Sequence, residues 1–249
     1  MTLLRSSDRT DAGPGAAATP EGGLDGLSPL GRRKSASELA YEQLRDAVIS
    51  LALPPGTVLA RGAIAQRLGL SQTPVREALI RLQEERLVEV VPHSATRVSK
   101  IDLANAREAH FLRLSIELEI VRRLAQAPSP ALAGMLQAGI ARMRAGLAAD
   151  DHAGLASADE AFHAALYVAA GVPGLRDLVH GRSGHLDRLR RLHLPAPGKA
   201  EAILGDHEEL AAAILAGDAM RAEARLRQHL AGTFAEADRL RAASPDFFS

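Results

Sequence analysis

Cysteine is missing from all 249 residues. Its absence removes disulfides, thiolate metal sites and cysteine nucleophiles together. Tryptophan is missing too, and aromatics make up only 3%, so any core must be mostly Leu, Ala, Val and Ile. No apolar run reaches the ~18 residues that a membrane span needs. The first residues lack the apolar segment of a secretory signal. These absences lead us to expect a cytoplasmic protein with no membrane partner. Net charge is absent as well, with 30 Lys+Arg against 30 Asp+Glu. It is unevenly spread, however. Residues 32–100 carry 11 Lys+Arg against 7 Asp+Glu, whereas residues 101–249 carry 17 against 19. A mildly basic front section suits a polyanion partner, although such an excess also occurs in domains that bind nothing charged.

What is present fits a globular protein: 47% apolar and 24% charged residues. The length allows one large domain or two ordinary ones. Residues 1–34 are rich in Gly, Ala, Pro, Ser and Thr without a period, the composition of a disordered tail. Arg32-Arg33-Lys34 closes it. This run is either a phosphate-contacting arm or a solvated charge run.

Structure is expected to begin at Ser35, where Ser35-Ala36-Ser37-Glu38 has the form of a capping box. Ala40, Leu44, Ala47, Val48 and Leu51 make a helical stripe, and Pro54-Pro55-Gly56 stops and turns the chain. A brief second helix spans residues 63–68. Thr73-Pro74 has the form of an N-cap followed by proline at the first helical position, opening a third helix to about Glu85. Residues 87–91 and 96–99 are β-prone, with Pro92-His93-Ser94-Ala95 between them, a plausible hairpin. Residues 35–99 thus have the layout of a winged helix-turn-helix, three helices plus a small β-hairpin.

In that layout the helix after the turn enters the major groove. Val75, Ala78, Leu79 and Leu82 form its inward stripe, leaving Gln72, Thr73 and Arg76 outward. Gln can read adenine, Arg can read guanine or clamp phosphate, and Thr can bind phosphate. His93, Ser94 and Arg97 are the wing candidates. The plainer alternative is a three-helix packing element with a solvated polar face.

After Asp102 no strand pattern occurs. Breaks at residues 127–130, 150–151, 171–174, 195–198 and 217–218 divide the chain into about six helices, which short connections would fold into an all-α antiparallel bundle. Asp159 and His163 share one helical face at i, i+4, a workable chelating pair for a divalent metal. His207 and His229 lie on later helical segments and can complete a set of one carboxylate and three imidazoles. Against this stand nine histidines in the chain, most of which would be surface or helix-end groups. His152, His180, His185 and His193 have no evident partners at ligand spacing. Pattern alone does not single out His207.

Two resemblances bear on these alternatives. Leu53-Pro54-Pro55-Gly56-Thr57-Val58-Leu59, and above all Leu68-Gly69-Leu70-Ser71-Gln72-Thr73-Pro74-Val75-Arg76-Glu77-Ala78-Leu79, resemble the DNA-binding domain of GntR-type bacterial transcriptional regulators. Some positions depart from the family pattern: Gln72 and Gly62 stand where Arg is found, and Arg86 and Ala95 stand where Gly is usual. Residues 102–243 resemble the all-helical FCD domain of the FadR-type subgroup, through Asp159-x-x-Phe162-His163, Asp206-His207-Glu208-Glu209-Leu210, and Gly217-Asp218 followed by Gln228-His229-Leu230. Here Val172-Pro173 replaces an Asn-Pro helix junction.

The resemblance implies a divalent metal of Zn, Ni or Mn type at Asp159, His163, His207 and His229, and a small carboxylate effector beside it. Arg113 matches a first-helix position that would clamp the carboxylate. The alternative for Arg113 is a surface pair with Glu117 at i+4. It further implies a homodimer on a two-fold double-stranded DNA operator, and no catalysis. Two other uses of the same residues are a metalloenzyme, for which no general acid or base is fixed by motif, and a sensor for which the metal itself is the signal.

Overall fold

A computed structural model describes residues 34–91 and 95–249. The expected tail, apart from Lys34, and the wing candidates His93 and Ser94 lie outside the described residues. Helix α1 (Ala36–Ile49) opens on the expected capping box: Ser35 Oγ accepts from Glu38 N at 3.2 Å and Ser35 N donates to the Glu38 carboxylate at 2.7 Å. It buries Ala40, Tyr41, Leu44 and Val48 and ends well before Pro54, because Leu51 already adopts a left-handed φ of 64°. Helix α2 (Arg61–Leu68) stops at Gly69, whose φ of 65° suits a residue without Cβ.

Helix α3 (Gln72–Glu84) starts two residues earlier than Thr73-Pro74 suggested, with Ser71 rather than Thr73 at the N-cap. Pro74 is tolerated there because N–H groups of the first turn have no intrahelical partner to lose. Val75, Ala78, Leu79 and Leu82 are all buried, as their stripe implied. Strands β1 (Val88–Val90) and β2 (Thr96–Val98) pair antiparallel with Val88 opposite Val98 and Val90 opposite Thr96. The three helices and the hairpin share one aliphatic core that includes Leu44, Val48, Val75, Leu82, Leu87 and Val98.

The rest of the described chain is helical: α4 (Leu103–Gln126), α5 (Pro130–Ala148), α6 (His152–Ala169), α7 (Pro173–His180), α8 (Gly184–His193), α9 (Lys199–Leu215), α10 (Ala219–Ala231) and α11 (Ala237–Ala243). These number eight rather than about six. Residues 181–183 separate α7 from α8, and a short 3-10 turn (Phe234–Glu236) precedes α11. Neither break carries proline. Asp102, Ser129, Asp151 and Asp218 cap their helices with side-chain oxygens, marking four of the starts chemically. A second, separate core forms around Leu136, Met143, Phe162, Leu166, Leu210 and Leu226. At ~1.5–3 kcal/mol for each fully buried large apolar side chain, these contacts dominate the stability of the bundle.

Helix α8 joins the two parts. Gly184 lies so close to Leu87 that a Cβ there would sit 2.6 Å from Leu87 Cδ2. Arg188, wholly buried, donates from Nη1 to Ser99 O at 2.6 Å and from Nη2 to His185 Nδ1 at 2.9 Å. His185 accepts from Asp102 N at Nδ1 (3.0 Å) and reaches Arg86 O from Nε2 (3.1 Å), which assigns it the neutral Nε2–H tautomer. Burial holds its pKa down at about 4. The far end of the chain also returns here: Ile101 N donates to Phe247 O at 2.7 Å, and Phe248 is buried beside Ile101 and Leu189.

Arg86 has φ 60°, a conformation that glycine adopts without strain. This is the physical reason glycine is the usual residue before the wing. Arg86→Gly removes about 1–2 kcal/mol of left-handed strain and costs about 0.4–1 kcal/mol in unfolded-chain entropy. A net gain of about 1 kcal/mol is expected, read as a Tm raised by about 2–4 °C. A lowered Tm would refute the strain assignment.

Candidate functional site

Gln72, Thr73 and Arg76 are exposed together on the first turns of α3, opposite its buried stripe. The N-terminus of α3 has no side-chain cap, so its N–H groups face outward with the helix's partial positive charge. Arg97, on β2, is half-buried, and its Nη1 donates to Gly56 O at 3.2 Å, so part of its guanidinium braces the turn before α2. Arg81 lies 3.8 Å over the Tyr41 ring. Glu85 turns away from the recognition face to bind Arg45 Nε at 2.8 Å and to accept from the Tyr41 hydroxyl.

In the helical part, Asp159 and His163 on α6, His207 on α9 and His229 on α10 come together, none more than 7% exposed. One donor atom from each lies within 4.8 Å of all the others. Asp159 Oδ1 is 3.3 Å from His207 Nε2 and 3.7 Å from His229 Nε2, while His163 Nε2 and His229 Nε2 are 3.3 Å apart. The outer nitrogens all face oxygen. His163 Nδ1 is 2.8 Å from Glu117 Oε2, His207 Nδ1 donates to Ile203 O at 2.7 Å, and His229 Nδ1 is 3.4 Å from Asp206 Oδ2. Those partners place the protons on Nδ1 and turn the Nε2 lone pairs inward. Lone pairs then face lone pairs and a carboxylate oxygen. Asp159 Oδ1 and His207 Nε2 are buried without a hydrogen-bond partner among the described residues, and Nδ1 of His163 and of His229 face their carboxylates outside hydrogen-bond geometry.

A cation at the centre satisfies all four atoms, and the donor set fits a divalent metal. Metal–ligand bonds of about 2.0–2.2 Å place neighbouring ligands about 3–3.5 Å apart. Burial and charge favour the ligating protonation states. Desolvation opposes the Asp159 charge, but the Arg190 guanidinium above all outweighs it and holds the carboxyl well below its usual range. Burial holds the His163 imidazole down at about 4 and that of His207 well below its ordinary value. Neutral imidazole is the form that ligates.

Arg113 does pair with Glu117 at i+4, Nε to Oε1 at 2.8 Å, but the pair is buried and not on the surface. Glu117 therefore holds Arg113 with one oxygen and His163 with the other. Burial opposes its charge, yet Arg113 and His163 hold its pKa well below the usual carboxylate range. Beside this centre lies a cavity of about 530 Å³, lined by Arg113, Asp159, Arg190 and His229 among others. Its wall also includes Arg45 and Ile49 of α1 and Ser50 at its C-terminal cap. Sequence reasoning missed Arg190, whose guanidinium binds Asp159 and lies 3.7 Å from Asp187. Its i, i+3 spacing from Asp187 was visible, but its partner Asp159 is 31 positions away. Glu117 and Asp206, which back two of the imidazoles, were also missed as members of the site. Each sits in a motif where it resembles an ordinary helix-surface acid.

A winged helix-turn-helix on a helical domain with a His/Asp centre defines a DNA-binding regulator class. Residues 36–98 match the family described as bacterial regulatory proteins, gntR family, and residues 108–232 match the FCD domain. The chain belongs to this GntR family, with an FCD domain behind its DNA-binding domain, and is a DNA-binding transcriptional regulator rather than an enzyme. It is 37% identical over 84% of its length to an HTH-type transcriptional regulator in an unstable DNA locus of Streptomyces ambofaciens, covering 88% of that relative. It is 26% identical, over 84% of this chain and 92% of the other, to the HTH-type transcriptional repressor RspR of Escherichia coli K12. The solved structure of E. coli McbR/YncC superposes with a TM-score of 0.72 over 83% of this chain and 99% of that one; at 23% identity the likeness is one of fold. FCD domains are often metal-associated, in line with the His/Asp cluster.

Truncating Glu117 strands the buried Arg113 charge. Glu117→Ala is expected to cost about 3–5 kcal/mol, the usual penalty for breaking a buried ion pair from one side. Urea denaturation checks it, and a loss under 1 kcal/mol would mean that Arg113 is solvated after all.

Proposed function

We propose that the protein binds a two-fold double-stranded DNA operator as a homodimer and senses a small carboxylate at a metal ion held by Asp159, His163, His207 and His229. The observation that carries this reading is the convergence of four buried donor atoms beside a cavity whose wall includes α1 of the DNA-binding part. Residues 35–99 serve as the DNA-binding domain and residues 102–243 as the sensor domain, with residues 1–34 a tail ahead of both. Gln72, Thr73 and Arg76 meet the major groove, while Arg97 and the wing-tip residues His93 and Ser94 meet the backbone or minor groove. Homodimer symmetry matches that of the operator.

Three nitrogens and one carboxylate suit a borderline metal of Zn, Ni or Mn type. When bound, the ion supplies open coordination positions to a carboxylate. Arg113 contributes a fixed guanidinium to the same anion, its orientation set by Glu117. Occupation of the cavity touches α8 on one side through Arg190, while the opposite side of α8 grips the wing root through His185 and Arg188. Binding energy that depends on the position of α8 therefore shifts the placement of the DNA-reading helices.

His163→Ala is expected to lose at least 90% of bound metal by elemental analysis, and full retention would sink the site assignment. Arg76→Ala should weaken operator binding by about 1–3 kcal/mol, and Gln72→Arg should change which palindrome is enriched from random DNA. An absence of palindromic enrichment would overturn the two-fold reading. Arg188→Met should keep metal content yet blunt the effect of a bound carboxylate on operator affinity, measured by fluorescence anisotropy. An undiminished response would rule out α8 as the link.

A further inference from the structure

The cavity beside the metal centre carries more positive charge than one carboxylate needs. Most basic groups in its wall are already engaged. Arg45 is bound to Glu85, Arg113 to Glu117, and Arg190 to Asp159. The acids on that side are engaged too: Glu160 binds Arg176 at 3.0 Å, and Asp187 lies 3.7 Å from Arg190. Two cations are left over. Lys199, the first residue of α9, lines the cavity, and its ammonium makes no hydrogen bond or direct ion pair among the described residues. Arg191, on α8, lines the same cavity, and its guanidinium makes a single, long hydrogen bond among the described residues, 3.5 Å to His152 O.

Neither cation is idle surface charge. Both are partly buried, and Lys199 feels the charges of Asp206, Arg190, Asp159 and Glu236 without pairing directly with any of them. Its ammonium also lies near Gly232, at the C-terminal end of α10, the helix that supplies His229. Asp46 is the remaining acid in the wall, and it stands exposed on α1. Charge balance then becomes specific. A divalent ion with three neutral imidazoles and one carboxylate keeps one positive charge, which one effector carboxylate neutralises. Lys199 and Arg191 line the same cavity, and neither has a carboxylate at ion-pair distance among the described residues.

We infer that Lys199 and Arg191 form a second anion subsite, so that the effector carries two anionic groups, one at the metal and Arg113 and the other at this pair. A dicarboxylate or a phosphorylated acid has this chemistry, and a simple fatty acid or monocarboxylate does not. The inference rests on the organic-acid reading above and narrows the class of acid. Thr233, buried at the cavity wall, offers a hydroxyl for a polar backbone substituent of the ligand.

The experiment is calorimetric titration of the metal-loaded full-length protein with saturated straight-chain diacids of three to six carbons, each against its monoacid of equal length, and with inorganic phosphate. The expected result is at least a tenfold preference for one diacid over its matched monoacid. Lys199→Gln should lose at least tenfold in affinity for that diacid, with unchanged metal content, Tm and monoacid affinity. Arg191→Gln should do the same to a smaller extent. Inorganic phosphate should compete weakly in the parent protein and not at all in Lys199→Gln. Monoacids binding as well as diacids, or a preference that survives Lys199→Gln, would overturn the second subsite and leave the organic-acid reading standing. No binding by either class would overturn both.

Discussion

A guanidinium with no exposed surface, and no carboxylate partner among the described residues, holds the two parts of this regulator together. Arg188 donates to Ser99 O at 2.6 Å, and its Nη2 lies 3.3 Å from Ser99 Oγ and 3.4 Å from Lys100 O. Burial alone lowers its pKa to about 10. Carbonyl dipoles stand in for a counter-ion, and they come from the two residues where the wing hands the chain to the helical domain. An apolar side chain of equal volume would desolvate nothing, so a charge in this place is costly for stability. What it gains is direction. Hydrogen bonds to named oxygens define one orientation of α8 against the wing root, whereas an apolar contact tolerates sliding.

The two apolar cores make that orientation matter. The DNA-binding core and the bundle core are separate clusters. Between them lie Arg45 reaching His180 O at 2.7 Å, His185 bridging Arg86 and Asp102, and Arg188. Leu87 against Gly184 is the close apolar contact of this joint. A joint built mainly of hydrogen bonds can exchange partners without opening a cavity, so its two states can lie within a few kcal/mol of each other. The cavity wall contains residues of α1 and α8, the helices that make this joint, so a bound molecule there has differential contacts available.

Local chemistry explains which parts were legible in the sequence. The capping box at Ser35, the buried stripe of α3 and the turn at Gly69 depend on neighbours within four positions, and all are present. Asp159 and His163 were legible as an i, i+4 pair. The other two members of the cluster required the family pattern, because 44 and 66 positions separate His207 and His229 from His163 and no local rule links them. The groups that tune the centre were not legible at all. Glu117, Asp206 and Arg190 become part of it only when α4, α9 and α8 close around α6. The break between α7 and α8 at residues 181–183 carries neither proline nor a left-handed glycine, so helix count was underestimated there.

The outer neighbours of the three imidazoles bear on how the centre faces a cavity. Ile203 O holds His207 Nδ1 by a hydrogen bond, and the carboxylates of Glu117 and Asp206 lie beside Nδ1 of His163 and His229. Such a set of donors from three helices would hold an ion with positions to spare. Arg113 and Arg190 line the cavity beside the centre, and their own carboxylate partners, Glu117 and Asp159, belong to it. The arginines and the His/Asp cluster are therefore one electrostatic unit. An anion drawn to the arginines competes with Glu117 and Asp159 for the same guanidinium hydrogens. That competition ties occupancy of the cavity to the position of Arg190 and, one helix turn or less along α8, to the Arg188 joint.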